Sequence, residues 1–418
     1  MGSVFCILIV MFCSSPLSEG SARGDSTLVL FWNLENFFDS KDDGKNGEHQ
    51  EFSAAGERRW SAKRFYLKCR AIAKSILFIG SEEGRLPDVI GVAEVENSSV
   101  LRSLLWSGPL RKTDYDIVHY DSPDPRGIDV GLLYRKGVFS LERSEAIHVP
   151  GFPTRDILLV DLRRRGRGDG AEPSFGSASC PLVHFLVCHL PSKYGGEKES
   201  LPKRQAAVAR LCRVIDSLSV CSGAPIVVMG DFNDTPLSMA LAPLTSPQGE
   251  AFLAGTSPVK EAARLVNMSA GLSGEGTIRY DGKWELIDMF FVSPQLAQAA
   301  AMKIHRLPFL MTRDRAHGGE KPLRTYVGLR YAGGVSDHCP ITLRLSLPLP
   351  SPLPSGMCTP NGPPVHSACT HPLRKATKDH FSRGRVQRID HICILHAHIP
   401  PERSRMIVFL GEENKTTL

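Results

Sequence analysis

Nine short runs of apolar residues, rich in β-branched side chains, recur along the first three-quarters of the chain. They cover residues 28–34, 88–95, 115–120, 130–135, 156–162, 183–190, 226–229, 286–292 and 340–347. Continuous apolar runs of this length are typical of strands that are buried on both faces. Their dense, hairpin-like spacing does not suit a purely parallel sheet. The pattern therefore predicts a strand-rich domain.

Two segments have helical spacing instead. In residues 61–79, apolar side chains recur at intervals of four, three, four and three, at Phe65, Cys69, Ile72, Ile76 and Ile79. This periodicity predicts an amphipathic helix. Ser200 and Pro202 together predict the start of a second helix, whose apolar stripe is Val208, Leu211, Ile215 and Leu218. Because strands precede and follow each helix, the order of elements indicates an α/β architecture.

Polar side chains stand where the apolar runs begin or end. They are Asn33, Glu35, Glu94, His189, Asp231, Asn233, Asp337 and His338, and Asp288 lies within the run 286–292. Function is concentrated where strands stop, so we expect these side chains to share one pocket. Carboxylate and amide oxygens suit a hard divalent cation, and imidazoles add acid–base groups. Phosphoryl chemistry requires this combination.

Three of these positions support a specific expectation from local sequence. Glu94 ends an apolar run, and an unpaired buried carboxylate is costly, so Glu94 must be paired, exposed or metal-bound. Asp231 and Asn233 are two residues apart, and in an extended segment both side chains point the same way. Such a pair can hold a water molecule between a base and an amide. The alternative is that Asp231 closes an Asx-turn.

Taken in order, these blocks resemble the endonuclease/exonuclease/phosphatase superfamily. The group includes pancreatic deoxyribonuclease, abasic-site endonucleases, neutral sphingomyelinases and inositol-polyphosphate phosphatases. The resemblance covers residues 28–346, and residues 322–328 with 331–334 are similar to a bacterial, secreted branch of it. It implies a four-layer α/β sandwich, in which two mainly antiparallel sheets pack face to face with helices outside.

The resemblance also implies roles for the polar residues on the metal side. Glu94 matches the metal-binding glutamate, Asn33 supports the metal or the phosphate, Glu35 adds a second carboxylate, and Asp337 faces the metal. The implied ion is Mg²⁺, with Mn²⁺ as the alternative. Arg204 matches a position at which the family often has a structural or phosphate-facing arginine.

The acid–base groups follow from the same resemblance. Asp231 activates the attacking water, Asn233 contacts the phosphate, and His338 approaches the phosphate while Asp288 orients its ring. His189 separates the chain from abasic-site endonucleases, which place a tyrosine near this position. Two histidines let one ring assist the leaving oxygen while the other stabilises charge on phosphorus.

We therefore expect a Mg²⁺-dependent phosphodiester hydrolase, a nuclease that uses in-line attack of water on nucleic acid. One alternative is a phosphatase or sphingomyelinase-like enzyme that acts on a small or lipid-headgroup phosphoester. An alternative of another class is a catalytically silent binding module on the same scaffold. The specificity loops carry no sequence motif that separates these substrates.

Composition adds little to the choice of substrate. The 418 residues are 42% hydrophobic and 22% charged, with a formal charge of +6, which is ordinary for a soluble globular protein. Residues 347–418 contain nine Lys or Arg against five Asp or Glu, so this end holds +4 of that charge. The remaining chain is only mildly basic, and its charge alone does not establish nucleic-acid binding.

The ends of the chain differ from the middle. Residues 1–20 have the short apolar run of a signal peptide, which predicts a secreted or periplasmic protein without stable membrane insertion. Residues 26–347 are expected to form the domain, as a monomer, and the Pro-rich residues 348–418 to be disordered. Eleven cysteines include no Cys-x-x-Cys pair. Free buried thiols are expected, with pairing among Cys180, Cys212 and Cys221 as the alternative.

Overall fold

The computed structural model describes residues 26–41, 51–165, 180–193, 196–246, 264–272 and 274–347. The predicted signal peptide, residues 1–20, and the predicted disordered tail, residues 348–418, lie outside the described residues. The expected domain of residues 26–347 contains all of the elements below.

The first large sheet has six strands. They are β1 Ser26–Phe37, β2 Val89–Val95, β3 Tyr115–His119, β4 Asp129–Arg135, β13 Ala300–Ile304 and β18 Ile341–Ser346. Their order across the sheet is β13-β18-β1-β2-β4-β3. Four of the five neighbouring pairs are antiparallel, and β1 with β2 is the parallel pair.

The second large sheet repeats this arrangement. Its strands are β5 Phe139–Ile147, β6 Ile157–Arg164, β7 Leu182–His189, β8 Ile226–Asp231, β9 Val266–Asn267 and β12 Asp288–Val292. They follow the order β5-β6-β7-β8-β12-β9. Again four pairs are antiparallel, and β7 with β8 is parallel.

The remaining elements are short hairpins and helices. The hairpins pair β10 Ile278–Tyr280 with β11 Lys283–Glu285, β14 Met311–Arg313 with β15 Glu320–Pro322, and β16 Tyr326–Val327 with β17 Arg330–Tyr331. Within the described ranges, the α-helices are α1 Ala62–Glu82, α2 Ser98–Trp106, α3 Glu197–Cys221, α4 Ala242–Thr245 and α5 Pro294–Ala297. The same ranges contain two 3₁₀ turns, Pro109–Lys112 and Pro308–Leu310.

Three apolar layers hold these elements together. Phe31 and Leu132 of the first sheet belong to one buried cluster with Phe185, Met229 and Phe290 of the second, so this cluster lies between the sheets. The outer face of the first sheet packs on α1 and α2, and that of the second packs on α3. The predicted four-layer sandwich with mainly antiparallel sheets is confirmed.

Local sequence explains the first long helix well. Ser61 caps α1 by accepting a hydrogen bond from the Arg64 amide, and all five predicted apolar positions of this helix are buried. The predicted start of α3 is wrong by one turn, because the helix begins at Glu197 and Pro202 lies inside it. Proline lacks the amide that would reach the Lys198 carbonyl, and Lys198 is exposed, so water is free to hydrate that carbonyl.

The cysteines of the described ranges test whether the thiols are free or paired. All six cysteines in the described ranges are free, and four of them, Cys69, Cys188, Cys212 and Cys339, are buried. This agrees with free buried thiols rather than with pairing among Cys180, Cys212 and Cys221.

Among the residues that the structure describes, no helix combines the length and apolar character needed to cross a membrane.

Candidate active site

The two parallel strand pairs bring the polar strand ends together. A parallel pair needs a crossover connection, and here α1 joins β1 to β2 while α3 joins β7 to β8. The carboxyl ends of each pair therefore lie at the same edge of their sheet. Asn33 and Glu94 stand at this edge in the first sheet. In the second sheet His189 is the register partner of Asp231, and Asp288 is the partner of Asp231 on its other side.

The backbone is irregular at this edge. The β1–β2 ladder is interrupted between Asn33 and Phe37, and the β2–β4 ladder between Ala93 and Val95. Six non-glycine residues in the described ranges have positive φ, and four of them are at this edge: Glu35 at 47°, Asn36 at 52°, Glu94 at 59° and Asn233 at 50°. Bulges redirect side chains, and strained backbone collects at functional sites.

Asn33 links the carboxylates of the two sheets. Its Nδ2 donates to Glu94 Oε1 at 3.2 Å and to Asp231 Oδ2 at 3.0 Å. Its Oδ1 accepts the Glu35 amide at 2.9 Å. The Asn33 side chain is thus committed to positioning Glu94 and Asp231, which fits a supporting role more closely than direct coordination of a metal.

His338 and Asp288 form the closest acid–base pair of the site. His338 Nδ1 is 2.7 Å from Asp288 Oδ2, and both side chains are almost fully buried. Its Nε2 lies 3.8 Å from Asp231 Oδ2 and 3.8 Å from Asp337 Oδ1. Burial by itself lowers the pKa of His338, but Asp288 and Asp231 outweigh it and raise this pKa well above its usual value. The ring is therefore a cation at neutral pH.

Asp231 is the buried carboxylate that faces this cation. Its Oδ1 accepts the Asn233 amide at 2.9 Å, which is the Asx-turn alternative from the sequence. Burial raises the pKa of Asp231 to about 7, with Asp288 adding to the shift and His338 opposing it. A carboxylate with such a pKa can accept a proton near neutral pH.

Asn233 does not continue the extended segment that the sequence reasoning assumed. Its φ of 50° is left-handed, and its Nδ2 donates to the Leu190 carbonyl at 3.0 Å. The expectation that Asp231 and Asn233 point the same way from an extended strand is therefore wrong. The cause is the turn that Asp231 closes, which ends the strand at Asp231 itself.

His189 is held in the neutral form. Its Nε2 lies 3.5 Å from Asp231 Oδ2 and 3.9 Å from Glu94 Oε1. Burial, reinforced by Arg155 and Arg126, places the pKa of His189 well below its usual value. With carboxylates near Nε2, the proton is assigned to Nε2. Nδ1 is buried without a hydrogen-bond partner in the described part of the chain.

A buried arginine that the sequence reasoning missed fixes the position of His189. Arg155 Nε donates to the His189 carbonyl at 3.1 Å, and Nη2 donates to the Leu190 carbonyl at 2.6 Å. Its charge is balanced by Asp124 at 2.8 Å. Arg155 precedes the run 156–162 in the sequence, and nothing in that local pattern indicates a partner more than thirty residues away.

Arg324, Thr325 and Lys68 surround Glu35, and the sequence did not indicate these contacts. Arg324 Nε donates to Glu35 Oε1 at 2.7 Å, and the Thr325 amide donates to Oε2 at 2.9 Å. Arg324 Nη2 lies 3.1 Å from Asp337 Oδ2. Lys68, fully buried, donates to the Glu35 carbonyl at 2.5 Å and to Thr325 Oγ1 at 2.8 Å.

This cluster changes the role assigned to Glu35. The Glu35 side chain is only 6% exposed and pairs with the Arg324 guanidinium at 2.7 Å, so the geometry favours a positioning role for Glu35 over direct coordination of a metal. Burial, together with Asp337, raises the pKa of Glu35 to about 7. Glu35 instead positions Arg324 beside Asp337. The only sequence signal for Arg324 was its place in the similar stretch 322–328.

Arg204 has a structural role. It is fully buried, and its Nε donates to Asp234 Oδ2 at 3.1 Å while Nη1 donates to Ser200 Oγ at 2.9 Å. It thus anchors the loop that follows Asp231 to α3. The alternative of a phosphate-facing arginine is not supported, because its side chain has no exposed surface.

Comparison with known families identifies the architecture. A sequence model described as the endonuclease/exonuclease/phosphatase family matches residues 28–346. The chain belongs to this family. Its members are enzymes that hydrolyse phosphoester bonds, so the chain is a phosphoester hydrolase. No curated protein matches the chain.

Solved structures with similar folds share little sequence with this family member. An endonuclease/exonuclease/phosphatase family protein from Bacteroides thetaiotaomicron is 15% identical, covers 78% of this chain and 98% of its own, and has a TM-score of 0.45. A humanized TDP2 from D. rerio is 14% identical, with coverages of 77% and 99% and a TM-score of 0.45. A B. thetaiotaomicron mannosyl-6-phosphatase is 15% identical, with coverages of 77% and 100% and a TM-score of 0.43.

The residues of this family member can hold a divalent metal. Glu94 and Asp337 keep 15% and 21% of their side chains exposed, whereas Asp231 and Asp288 are nearly inaccessible. Glu94 accepts one hydrogen bond at each oxygen, which leaves lone pairs for a cation. The donor set is oxygen without thiolate, as a hard cation requires.

A second grouping of possible ligand atoms is better explained as acid–base machinery. Asp231, Asp288 and His338 place such atoms within 4.8 Å of one another. However, His338 Nδ1 already pairs with Asp288 at 2.7 Å, and Asp231 and Asp288 are nearly inaccessible. Glu94 and Asp337 are the more exposed carboxylates, so they fit the metal side that the resemblance implies.

Proposed function

We propose that the chain is a Mg²⁺-dependent phosphodiesterase that cleaves nucleic acid by in-line attack of water. The observation that carries this proposal is the buried His338–Asp288 pair at 2.7 Å, with Asp231 facing the other nitrogen of the ring. It sets a histidine with a raised pKa and a carboxylate with a pKa of about 7 side by side. Phosphoester hydrolysis needs these two groups, to stabilise negative charge and to accept a proton.

Asp231 is the proton acceptor in this proposal. Its carboxylate is oriented by Asn33 Nδ2 and by the Asn233 amide, so its remaining lone pairs have a fixed direction. With a pKa of about 7, it takes the proton of the attacking water at neutral pH. General base assistance of this kind is worth roughly 100- to 10,000-fold in rate.

The two histidines have different charges and different tasks. His338 is protonated, so its Nε2–H stabilises negative charge on the phosphate oxygens. His189 is neutral, so it donates an Nε2 hydrogen bond instead of supplying a cation. We therefore propose that His189 assists the leaving oxygen by donating a hydrogen bond, with its ring held in place through Arg155. Asp337 is paired with Arg324 at 3.1 Å, and we assign it to the metal side.

Glu94 and Asp337 would hold the metal ion, whose chemistry is to polarise the phosphoryl oxygens and favour a nucleophilic water. Asn33 and the Asn36 amide fix the Glu94 carboxylate. We favour Mg²⁺ because the donor atoms are oxygens. Mn²⁺ is the alternative ion.

Basic side chains near these carboxylates favour nucleic acid as the substrate. The Arg324 side chain is 51% exposed beside Asp337. Arg126 is 35% exposed and influences the pKa of His189, and Lys193 is 36% exposed next to Asp234. Exposed guanidinium and ammonium groups beside a phosphoester site suit a polyanionic backbone.

A lipid-headgroup phosphoester is the second candidate, and one observation favours it. Leu237 and Met239 are 88% and 84% exposed in the segment directly after the Asp231–Asn233 loop. Exposed apolar side chains at the border of a site suit a lipid surface. The silent binding module has no such support, since each acid–base residue expected from the sequence is present and grouped.

A panel of substrates tests the proposal. The purified chain is assayed with Mg²⁺, Mn²⁺ or chelator on plasmid DNA, RNA, sphingomyelin vesicles and inositol phosphates, alongside His338→Ala as a blank. We expect metal-dependent cleavage of DNA or RNA that the variant lacks. Turnover confined to sphingomyelin, and reduced by Leu237→Ser with Met239→Ser, would instead establish the lipid candidate. Turnover confined to inositol phosphates would replace both with a phosphatase.

A further inference from the structure

A separate cavity of about 200 Å³ adjoins the catalytic groups. Glu35 and Arg324 line it on the catalytic side, and Arg58, Val327 and Gly328 line it on the other. Ligand clefts commonly measure about 300–1,000 Å³. A cavity of this size therefore has room for one substituent of a substrate rather than for a whole ligand.

Arg58 is held rigidly at the outer wall of this cavity. Its guanidinium carbon lies 5.0 Å from the centre of the Phe52 ring and 5.4 Å from that of Tyr326. Nε donates to Glu51 at 2.9 Å, and Nη1 donates to the Gly328 carbonyl at 2.9 Å. A guanidinium has five N–H donors, so three of them remain available. About a quarter of the side chain is exposed.

Arg324 supplies a second guanidinium on the catalytic side. Its Nε and Nη2 face Glu35 and Asp337. Within the described ranges, no hydrogen bond or ion pair is made by its Nη1, and half of the side chain is exposed. Burial would lower the pKa of Arg324, but Asp337 and Glu35 more than compensate and raise it. Arg324 is therefore always charged.

The carboxylates around the cavity are each already paired with one of its two guanidiniums: Glu51 with Arg58, and Glu35 and Asp337 with Arg324. Glu35 is the one carboxylate in the lining, and both of its oxygens already accept hydrogen bonds from Arg324 and Thr325. Its surface is 95% buried, since its exposure is 5%. Val327 is 53% exposed and uncharged. Two guanidinium groups with free N–H donors around a small cavity form a setting for phosphate, which arginine binds through paired donors.

We propose that the cavity between Arg58 and Arg324 binds a second phosphate group of the substrate, next to the phosphate that is hydrolysed. The idea rests on the proposed phosphodiesterase function and specifies its substrate, which carries two nearby phosphates. A nucleic acid backbone and a small bisphosphate share this chemistry. The Arg58 side of the site sets affinity through KM, because no contact joins Arg58 to Asp231, His338 or His189 in the described part of the chain.

Direct binding tests the site without turnover. Pyrophosphate is titrated calorimetrically into the whole chain in the presence of chelator, so that no metal recruits the anion to the carboxylates. We expect measurable binding that Arg58→Gln weakens about tenfold, which corresponds to ~1.4 kcal/mol, while Arg58→Lys retains part of it. Arg70→Gln, on the exposed side of α1 and outside the cavity lining, serves as the matched control. Equal affinities in the wild type and Arg58→Gln would overturn the proposal.

Charge changes at Val327 provide a test that leaves the Arg58 contacts intact. Val327 is half exposed, so polar residues are tolerated there. Val327→Asp should weaken pyrophosphate binding, and Val327→Lys should strengthen it. Identical binding by this pair of variants would also refute the site, even if Arg58→Gln failed to fold.

Kinetics then identify the source of the second phosphate. KM is compared for the dinucleotides pTpT and TpT, and for glucose 1,6-bisphosphate and glucose 6-phosphate. If the two-phosphate member has the lower KM only in the nucleotide pair, and Arg58→Gln reduces this difference, the second phosphate belongs to a nucleic acid. The same result in the sugar pair alone assigns a small bisphosphate and defeats the proposed nuclease function while the cavity proposal stands. Loss of activity on both members equally in Arg58→Gln would show a merely structural arginine.

Discussion

Replacing Asp288 by Asn isolates the charge that makes His338 a cation. The substitution keeps the shape of the side chain and leaves an oxygen to accept from His338 Nδ1, which lies 2.7 Å away. It removes a buried negative charge that affects two pKa values in the same direction. Asp288 raises the pKa of His338, and as the strand neighbour of Asp231 it also raises the pKa of Asp231.

The expected consequence is a change in the pH–rate profile. Activity requires ionised Asp231 and protonated His338, so the acid limb of the wild type lies near the Asp231 pKa of about 7, and the basic limb lies well above the usual histidine value of about 6.5. In Asp288→Asn both limbs move to lower pH. Each unit by which the His338 pKa falls below the assay pH costs about tenfold in the active fraction. At pH 8 the loss should grow by this factor for each unit, up to the roughly 100- to 10,000-fold that acid–base assistance contributes.

Stability should follow the same linkage. A histidine with a raised folded-state pKa stabilises the fold fully below its unfolded pKa of about 6.5, and this contribution is lost as the pH rises through the folded value. Asp288→Asn should therefore lower the melting temperature most at pH 6 and least at pH 9. The opposite order would contradict the assignment of His338 as a cation.

The assay is kcat on bis(p-nitrophenyl) phosphate from pH 5 to 10 under saturating Mg²⁺, with folding checked by circular dichroism. Asp156→Asn is a matched control, because Asp156 lies 3.1 Å from His148 in a His–Asp pair whose imidazole is 56% exposed. The control should leave the profile unchanged. A basic limb that stays in place in Asp288→Asn would refute the reasoning.

Other outcomes follow from the same site. His338→Ala and Asp231→Ala should each reduce kcat by several orders of magnitude with little change in KM. His189→Ala should reduce kcat by a similar factor only if its hydrogen bond acts in the transition state. Near-wild-type rates for His338→Ala would contradict the mechanism. Activity should vanish in chelator and return with Mg²⁺ or Mn²⁺. Mg²⁺ should also raise the melting temperature of the wild type but not that of Glu94→Gln. Full turnover in excess chelator would contradict the metal assignment. Deleting residues 350–418 should leave the melting temperature and kcat nearly unchanged, because the last described strand ends at Ser346 with its pairings to β1 and β13 complete; a large drop in either quantity would show that the deleted residues contribute to the domain.

The sequence by itself determined the nine apolar strands and the polar residues near their ends, but not β5 or β13, which are partly exposed. A strand that is buried on both faces must be apolar throughout, so the boundary from apolar to polar residues marks its end without any knowledge of its partners. This is why the ends of β7 at His189 and of β8 at Asp231 could be assigned from local pattern, and why α1 could be found from its period. Each of these signals lies within one element.

Only the tertiary structure decided which groups those residues touch. Arg324 reaches Glu35 across 289 positions of chain, and Lys68 reaches Thr325 across 257. The periodicity of a single segment does not predict a contact between residues that lie hundreds of positions apart in the chain. Asn233 is a different case: its left-handed backbone follows from a local Asx-turn that the sequence offered as one of two alternatives, and the structure decided between them. Charge, burial and partner set the pKa of each group, and all three are properties of the assembled edge rather than of any single segment.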